Sequence, residues 1–187
     1  MNLHRKLKLT ASALVLVLLL AFTLGNTGCP KSEPQSPKKL VAQAAEVAKD
    51  VGGSTRDVIK AVGQAYDQKL ITLEQKDKYA DLLIKISEGG QKGVSALTEL
   101  EKHVGETGQI PADKWQLLNA LFNSELVTPF LNFLTEINKL TPEANVAIQV
   151  SVIALRSLIL RLSDAFGRRA ELEQKFQLAG GTYVNAE

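Results

Sequence analysis

The stretch TPEANVAIQVSVIALRSLILRL, residues 141–162, decides the fold. Thr141, Pro142 and Glu143 form a typical helix start: a side-chain cap, a proline at a position where no amide is needed, and an acid near the positive end of the helix dipole. From Val146 to Leu162 the segment is apolar nearly all round, which predicts the central helix of a bundle. The fold class is therefore expected to be all-α.

The composition agrees with helices that pack through aliphatic side chains. Aromatic residues make up 5% of the 187 residues and apolar residues 45%, and such a balance favours helices over sheets. A chain of this length is near the usual size of one domain. The sequence thus predicts a bundle of about five or six helices over residues 39–178, followed by a short frayed tail at 179–187.

Two helices are predicted at the start of this domain, over about 37–51 and 55–69. Ser36 before Pro37 has the pattern of an N-cap followed by proline in the first helical position. Gly52-Gly53 lies between the two apolar patterns, and a glycine pair is a common end of a helix. The sequence therefore predicts a break there.

The third predicted helix runs from Leu73 to about Val104. Thr72 and Gln75 match the capping box that begins many helices, and the apolar spacing keeps its phase through Gly89-Gly90. The segment from Gly89 to Ser95 superficially resembles a phosphate loop, but the required GxxxxGK[ST] order and preceding strand are missing. We therefore predict one long helix in which the glycines serve close packing or a flexible joint, with a kink or break at the glycines as the alternative.

A further helix is expected to open at Pro111 and to turn Trp115 inward. Because proline lacks an amide and clashes with the preceding turn, Pro129 predicts a break over Ser124 to Thr128, with Thr128 capping a new helix that carries Phe130. Beyond Phe166 the pattern becomes amphipathic through Phe176, and Gly180-Gly181 is expected to end it.

A narrow polar stripe interrupts the apolar helix of residues 141–162. Asn145, Gln149, Arg156 and Ser163 fall within ~40° of one another at ~100° per residue, which predicts solvent or a polar groove along this side. Together with Trp115 and Phe130, the first three are our candidates for an interaction surface or ligand groove. The alternatives are an aromatic core and arginines that snorkel or pair, such as Arg161 with Asp164 three residues on.

Catalytic and metal chemistry find little support in the sequence. His103 is the only histidine after residue 4, and with Glu99 it supplies two possible ligands where a metal site needs more. A Gly-x-Ser-x-Gly nucleophile motif is missing from the chain, and Glu171 and Glu173 are typical of solvated faces with nearby basic residues. We expect no catalytic residues, no metal and no cofactor.

The N-terminus has the pattern of an export signal. Met1–Lys8 is basic, Leu9–Leu24 is apolar and uncharged, and Gly25-Asn26-Thr27-Gly28-Cys29 follows. The apolar stretch rises only ~24 Å as a helix, which is short for a permanent membrane span. Cys29 is the only cysteine, so an intramolecular disulfide is impossible and the thiol needs another role.

This segment resembles the precursors of bacterial lipoproteins, in which small residues precede a cysteine, as Thr27 and Gly28 do here. The resemblance covers residues 1–29 and implies a signal peptide over 1–28, lipid such as palmitate on Cys29, and attachment to a bacterial membrane after export. Residues 29–38 would then form the lipidated cysteine and an extended proline-rich tether.

The charge balance points away from nucleic acid. The full chain has a net charge of +2, but Arg5, Lys6 and Lys8 would leave with the signal peptide, so the mature chain would carry a net charge of −1. Nucleic-acid binding normally needs a clustered basic face. Three functions are consistent with the sequence: a non-catalytic envelope scaffold with a protein partner, a carrier of an apolar ligand in the bundle core, and a cell-envelope hydrolase.

Overall fold

The computed structural model describes residues 36–180, which form a helical bundle without a strand in that part of the chain. The predicted signal peptide, Cys29, most of the tether and residues 181–187 lie outside this range. The described residues form five continuous helical segments, the third of which contains a π-helical stretch. The elements are α1 (Pro37–Asp67), α2 (Leu73–Thr107), α3 (Ala112–Phe122), the π-helix (Asn123–Val127), α4 (Thr128–Ile137), α5 (Pro142–Ala165) and α6 (Arg169–Gly180).

The prediction of an all-α bundle with an apolar helix near the C-terminus is confirmed. Helices α1 and α2 form a long hairpin, and α5 lies along α1. At one end of the bundle the Lys78 ammonium lies 2.7 Å from the Glu136 carboxylate, which joins the start of α2 to the end of α4. At the other end the rings of Trp115 and Phe166 are 4.7 Å apart, which joins the start of α3 to the end of α5.

The predicted helix starts are confirmed where a local cap defines them. The Ser36 hydroxyl accepts from the Lys39 amide, and the Thr141 hydroxyl accepts from the Ala144 amide at 3.4 Å. The Thr72 and Gln75 side chains each accept from the other's backbone amide, at 3.2 and 2.8 Å, as a capping box requires. These caps depend only on residues within one turn, so sequence alone predicts them.

The predicted break at Gly52-Gly53 is wrong, because α1 continues through both glycines to Asp67. Val51 and Val58 on either side are fully buried, so the apolar face of the helix keeps its phase across the pair. A glycine costs about 1 kcal/mol relative to alanine inside a helix, whereas full burial of a valine contributes about 1.5–3 kcal/mol. Tertiary packing therefore outweighs the local preference.

The predicted break over residues 124–128 is also wrong, since the chain passes through this segment as a π-helix. The Thr128 hydroxyl donates to the Asn123 carbonyl at 2.9 Å, five residues back, and caps no new helix. A π-helical turn is wider than an α-helical one. The missing amide of Pro129 is thereby accommodated without ending the helix.

The π-helix brings the Glu125 carbonyl against Gly89 of α2. In an α-helix the donor to this carbonyl would be the amide of residue 129, which is proline and has none. A Cβ at Gly89 would lie only 2.2 Å from the Glu125 carbonyl oxygen, so no other residue fits there without a shift of backbone. Helix α2 is continuous as predicted, and Gly89 serves close packing.

The C-terminal part contains a break that the apolar pattern does not indicate. Helix α5 ends at Ala165, and Gly167 adopts φ 67°, a left-handed conformation that glycine takes without strain. Helix α6 then begins at Arg169 and turns back onto α4 and α5. The amphipathic pattern predicted beyond Phe166 therefore belongs to a separate helix.

Candidate functional site

Helix α5 has two unlike faces, although its sequence is apolar nearly all round. One face is buried, mainly against α1, through Ala144, Ile148, Val152, Leu155, Ile159 and Leu162. On the opposite face Val146 is 66% exposed, Val150 74% and Ile153 55%. Three branched apolar side chains thus stand in solvent on one strip of a helix, which is the kind of patch that marks an interaction surface.

This strip, which we call the outer face of α5, has charges only towards its ends. At ~100° per residue, Glu143, Val150 and Arg161 point in nearly the same direction. Glu143 and Arg161 are eighteen residues apart, about five turns or ~27 Å along the helix, and both are exposed. The six exposed residues between them are Val146, Ala147, Val150, Ile153, Ala154 and Ser157.

The two end charges have no ion-pair partner among residues 36–180. Of the two alternatives for Arg161, the structure has the side chain in solvent, while the Asp164 carboxylate lies 2.9 Å from the Arg169 guanidinium of α6. Glu143 likewise forms no ion pair within the described part of the chain. Both groups are therefore available to a partner molecule.

The candidate residues of the polar stripe lie half-buried at the side of α5. The side-chain amide of Asn145 donates to the Ile137 carbonyl at 3.0 Å and so links the start of α5 to the end of α4. The Gln149 side-chain oxygen is buried without a hydrogen-bond partner in the described residues. The Arg156 guanidinium lies over the Phe176 ring, 5.3 Å from its centroid.

The aromatic candidates fall into two separate clusters. Phe130 is fully buried between Phe133 and Phe176, with ring centroids 6.5 and 5.2 Å away. Trp115 lies against Phe166, which also stacks on Phe122. The structure thus brings Phe130 and Arg156 together through Phe176, while Trp115 belongs to the other end of the bundle.

An apolar groove lies between α2 and α3, and the sequence did not predict it. It has a volume of about 420 Å³ and is lined by Ala96, Glu99, Leu100, Lys114, Leu117, Leu118 and Leu121. Leu117 is 69% exposed. The sequence gives no clear signal of this groove, because two consecutive apolar residues can both be buried, as Phe133 and Leu134 are in α4.

Two further hollows lie near the glycines of the long helices. A cavity of about 20 Å³ beside Gly89 and Phe122 has room for about one water molecule. An open polar groove of about 560 Å³ runs between α1 and α2, where Gly52, Gly53 and Gly90 leave space beside Lys49 and Arg56. Neither contains a histidine among its lining residues.

Burial, and next to it the charge of Glu136, raise the pKa of Tyr79; the other shifted pKa values among the described residues belong to surface ion pairs. Hydrogen bonds from Arg168 and Lys175 lower the pKa of Glu171 to about 2. Hydrogen bonds from Lys139 and Lys78 likewise lower the pKa of Glu136. Both carboxylates are ionised at neutral pH, which suits structural pairing and is the reverse of what a general acid needs.

Among residues 36–180 no group of three or more His, Cys, Asp or Glu side chains converges to hold a metal ion. His103 lies near the C-terminal end of α2, half-buried.

By length and composition α5 is the one described helix that could cross a membrane, and a third of its apolar stretch is buried in the bundle. No protein family, characterised protein or solved structure matches this chain.

Proposed function

We propose that this protein is a lipoprotein of a bacterial envelope, anchored by lipid on Cys29, and that its helical bundle is a non-catalytic binding or scaffold module. The observation that carries the proposal is the position of the only cysteine. It follows the basic segment, the apolar stretch Leu9–Leu24 and the small residues Thr27 and Gly28. Two or three acyl chains at this thiol would give stable membrane attachment.

The short stretch of sequence between Cys29 and α1 supports this arrangement. Helix α1 begins at Pro37 with Ser36 as its cap, and the preceding residues 30–35 are PKSEPQ. Six residues span at most roughly 20 Å even when fully extended. The bundle would therefore be held close to the bilayer surface and face other components of the envelope.

The binding role is supported by the exposed apolar surface. The largest apolar patch on the surface of a protein is often functional, and the outer face of α5 exposes Val146, Val150 and Ile153 together. The shifted carboxylates of Glu136 and Glu171 are occupied in ion pairs. The surface chemistry thus favours contact with a partner over turnover of a substrate.

Metabolic labelling with a palmitate analogue tests the anchor. The wild-type chain should be labelled and should sediment with membranes, whereas Cys29→Ser should lose the label and the sedimentation. Thr27→Ser is the matched control, because it keeps a small residue two positions before the cysteine and should label like the wild type. Equal labelling of wild type and Cys29→Ser would overturn the proposal.

A second candidate function is the binding of an apolar ligand, and the groove between α2 and α3 favours it. Its volume of about 420 Å³ falls within the ~300–1,000 Å³ of ordinary ligand sites, while the cavity in the core holds about 20 Å³. The ligand would thus lie on Leu117 and Leu121 at the surface instead of inside the bundle, where the sequence analysis placed it.

Native mass spectrometry of the protein purified from its own envelope tests this second function. A co-purifying lipid should be retained by the wild type and lost on Leu117→Asp. Leu178→Asp is the control, because Leu178 of α6 is 80% exposed and lies outside the groove. Loss of the lipid in both variants, or in neither, would exclude the groove as its site.

A further inference from the structure

We infer that the outer face of α5 binds the same face of a second copy of this chain, with the two helices antiparallel about a two-fold axis. The observation behind this inference is the distribution of charge on the face. Glu143 stands near one end and Arg161 near the other, both exposed and without an ion-pair partner in the described residues. The inference names the partner of the proposed binding module and does not require lipid on Cys29.

The spacing of the two charges matches such a dimer. A two-fold axis that runs between the two helices, at the level of residue 152, exchanges the two ends of the face, so Glu143 of each copy lies opposite Arg161 of the other. Glu143 and Arg161 point in the same direction because eighteen residues are about five whole turns of the helix. Val150 shares this direction because it lies seven residues, or about two turns, after Glu143. Two symmetric ion pairs therefore flank a central apolar contact.

The side chains between the charges complement one another in this register. Val150 of one copy lies opposite Ala154 of the other, so that a branched side chain meets a small one. Ala147 lies opposite Ser157, and two small residues allow the helices to approach closely. A parallel pair would instead place Glu143 opposite Glu143 and Arg161 opposite Arg161, which like-charge repulsion disfavours.

A second copy fits this face better than a bilayer does. Helices that lie in a membrane surface are rich in lysine and arginine on their polar face. Here the whole of α5 contains only two basic residues, Arg156 and Arg161, and Glu143 stands at one end of the apolar strip. The acid would face anionic headgroups unfavourably, whereas it is complementary to the arginine of a second copy.

The contact is small, and its expected affinity is correspondingly modest. One helix face offers less than the ~800 Å² per partner that stable protein interfaces bury. Attachment of both copies to one membrane would raise their effective concentration, as in any linked pair of binding sites. We therefore expect pairing that is strongest in the anchored protein.

Site-directed crosslinking of the full chain in bacterial cells tests the contact. With Val150→Cys, a short bismaleimide should link two copies, because residue 150 lies next to the proposed axis. Lys85→Cys is the control, since Lys85 is exposed on α2 away from this face and should give no dimer. The experiment is run with Cys29 and with Cys29→Ser, which removes the only native thiol.

Charge reversal then tests the register. Glu143→Lys and Arg161→Glu, each added to Val150→Cys, should lower the dimer yield about tenfold, because each converts two attractive pairs into repulsive ones. Co-expression of the two variants, one carrying a size tag, should restore a mixed dimer, because the introduced lysine of one copy meets the introduced glutamate of the other and the native Arg161 meets the native Glu143. The double variant Glu143→Lys with Arg161→Glu should also pair with itself.

The outcomes separate this inference from the proposed anchor. Absence of the Val150→Cys dimer in both backgrounds, or a mixed pair of variants that fails to crosslink, would overturn the antiparallel dimer. A dimer that forms only with Cys29 would support pairing that the membrane anchor concentrates. Failure of the palmitate labelling would remove the anchor while leaving the crosslinking result unchanged.

Discussion

Two glycine pairs, Gly52-Gly53 in α1 and Gly89-Gly90 in α2, look alike in the sequence but do different things in the fold. Both lie inside uninterrupted helices. A Cβ at Gly52 or Gly53 would meet nothing within 4 Å, whereas a Cβ at Gly89 would lie 2.2 Å from the Glu125 carbonyl oxygen. The first pair weakens a helix, and Gly89 in the second makes a helix contact possible.

The difference teaches that the cost of a glycine depends on what faces it. Both pairs lower helix propensity by about 1 kcal/mol per residue relative to alanine. Only at Gly89 is this cost offset, because the missing Cβ allows the backbone of the π-helix to pack directly against α2. The following predictions test this contrast by changing one feature at a time.

The largest effect is expected for Gly89→Ala. The new Cβ would collide with the Glu125 carbonyl, which is backbone and cannot rotate away, so we expect a loss of about 3 kcal/mol in the free energy of unfolding. For a domain of this size that corresponds to a drop in Tm of roughly 10 °C, measured by circular dichroism. Gly93→Ala is the control, because nothing lies within 4 Å of its Cβ; equal destabilisation by both would contradict the contact.

The next largest effect tests whether the missing amide of Pro129 causes the contact between the Glu125 carbonyl and Gly89. In Pro129→Ala the restored amide can donate to the Glu125 carbonyl and draw it away from Gly89. The double variant with Gly89→Ala should therefore be less destabilised than the sum of the single variants, by about 1 kcal/mol. Urea denaturation of the four proteins gives this coupling, and additivity would show that the missing amide does not hold the carbonyl in place.

In α1 a glycine-to-alanine substitution is expected to raise the stability of the protein. Gly53→Ala adds a methyl group in open space inside a helix, so the free energy of unfolding should rise by about 0.5–1 kcal/mol. Gly52→Ala should behave alike, because its surroundings are equally open. A decrease in stability would mean that this segment needs glycine for a reason other than space, such as a ligand in the polar groove beside it.

The smallest effect concerns the ion pair beside Gly89. The Lys92 ammonium lies 2.6 Å from the Glu125 carboxylate, and this hydrogen bond raises the pKa of Lys92 above its usual value. A group with a raised pKa in the folded state stabilises the protein below its unfolded pKa and loses that effect as pH rises through the folded pKa. The difference in Tm between wild type and Lys92→Met should thus be small at pH 7 and vanish at alkaline pH, once Lys92 has lost its proton. A difference that persists there would assign it to packing of the lysine stem.

Sequence reasoning predicted the elements whose signals are local. The starts of α1, α2 and α5 follow from Ser36, Thr72 and Thr141, since each cap uses residues within one turn. It failed at Pro129 and at Gly52-Gly53, where a local breaker is overruled by contacts with residues far away in the chain. It also missed the break at Gly167, because the apolar pattern continues on both sides of it.

The candidate site was predicted only in part for the same reason. Arg156 and Phe130 do come together, but through Phe176, which lies twenty residues beyond Arg156 and on another helix. Trp115 was grouped with Phe130 by residue type and lies in a different cluster. The exposure of Leu117 depends on how α3 packs in the bundle, so the neighbouring residues in the sequence do not predict it.

The amino-acid sequence alone determined that this chain forms helices, where most of them begin, and that a single cysteine follows an apolar segment, because these properties reside in neighbouring residues. Only the tertiary structure decided which side of α5 is covered. A helix that is apolar nearly all round has no preferred face of its own, so the packing of α1 and α6 selects the side that is buried and leaves Val146, Val150 and Ile153 exposed.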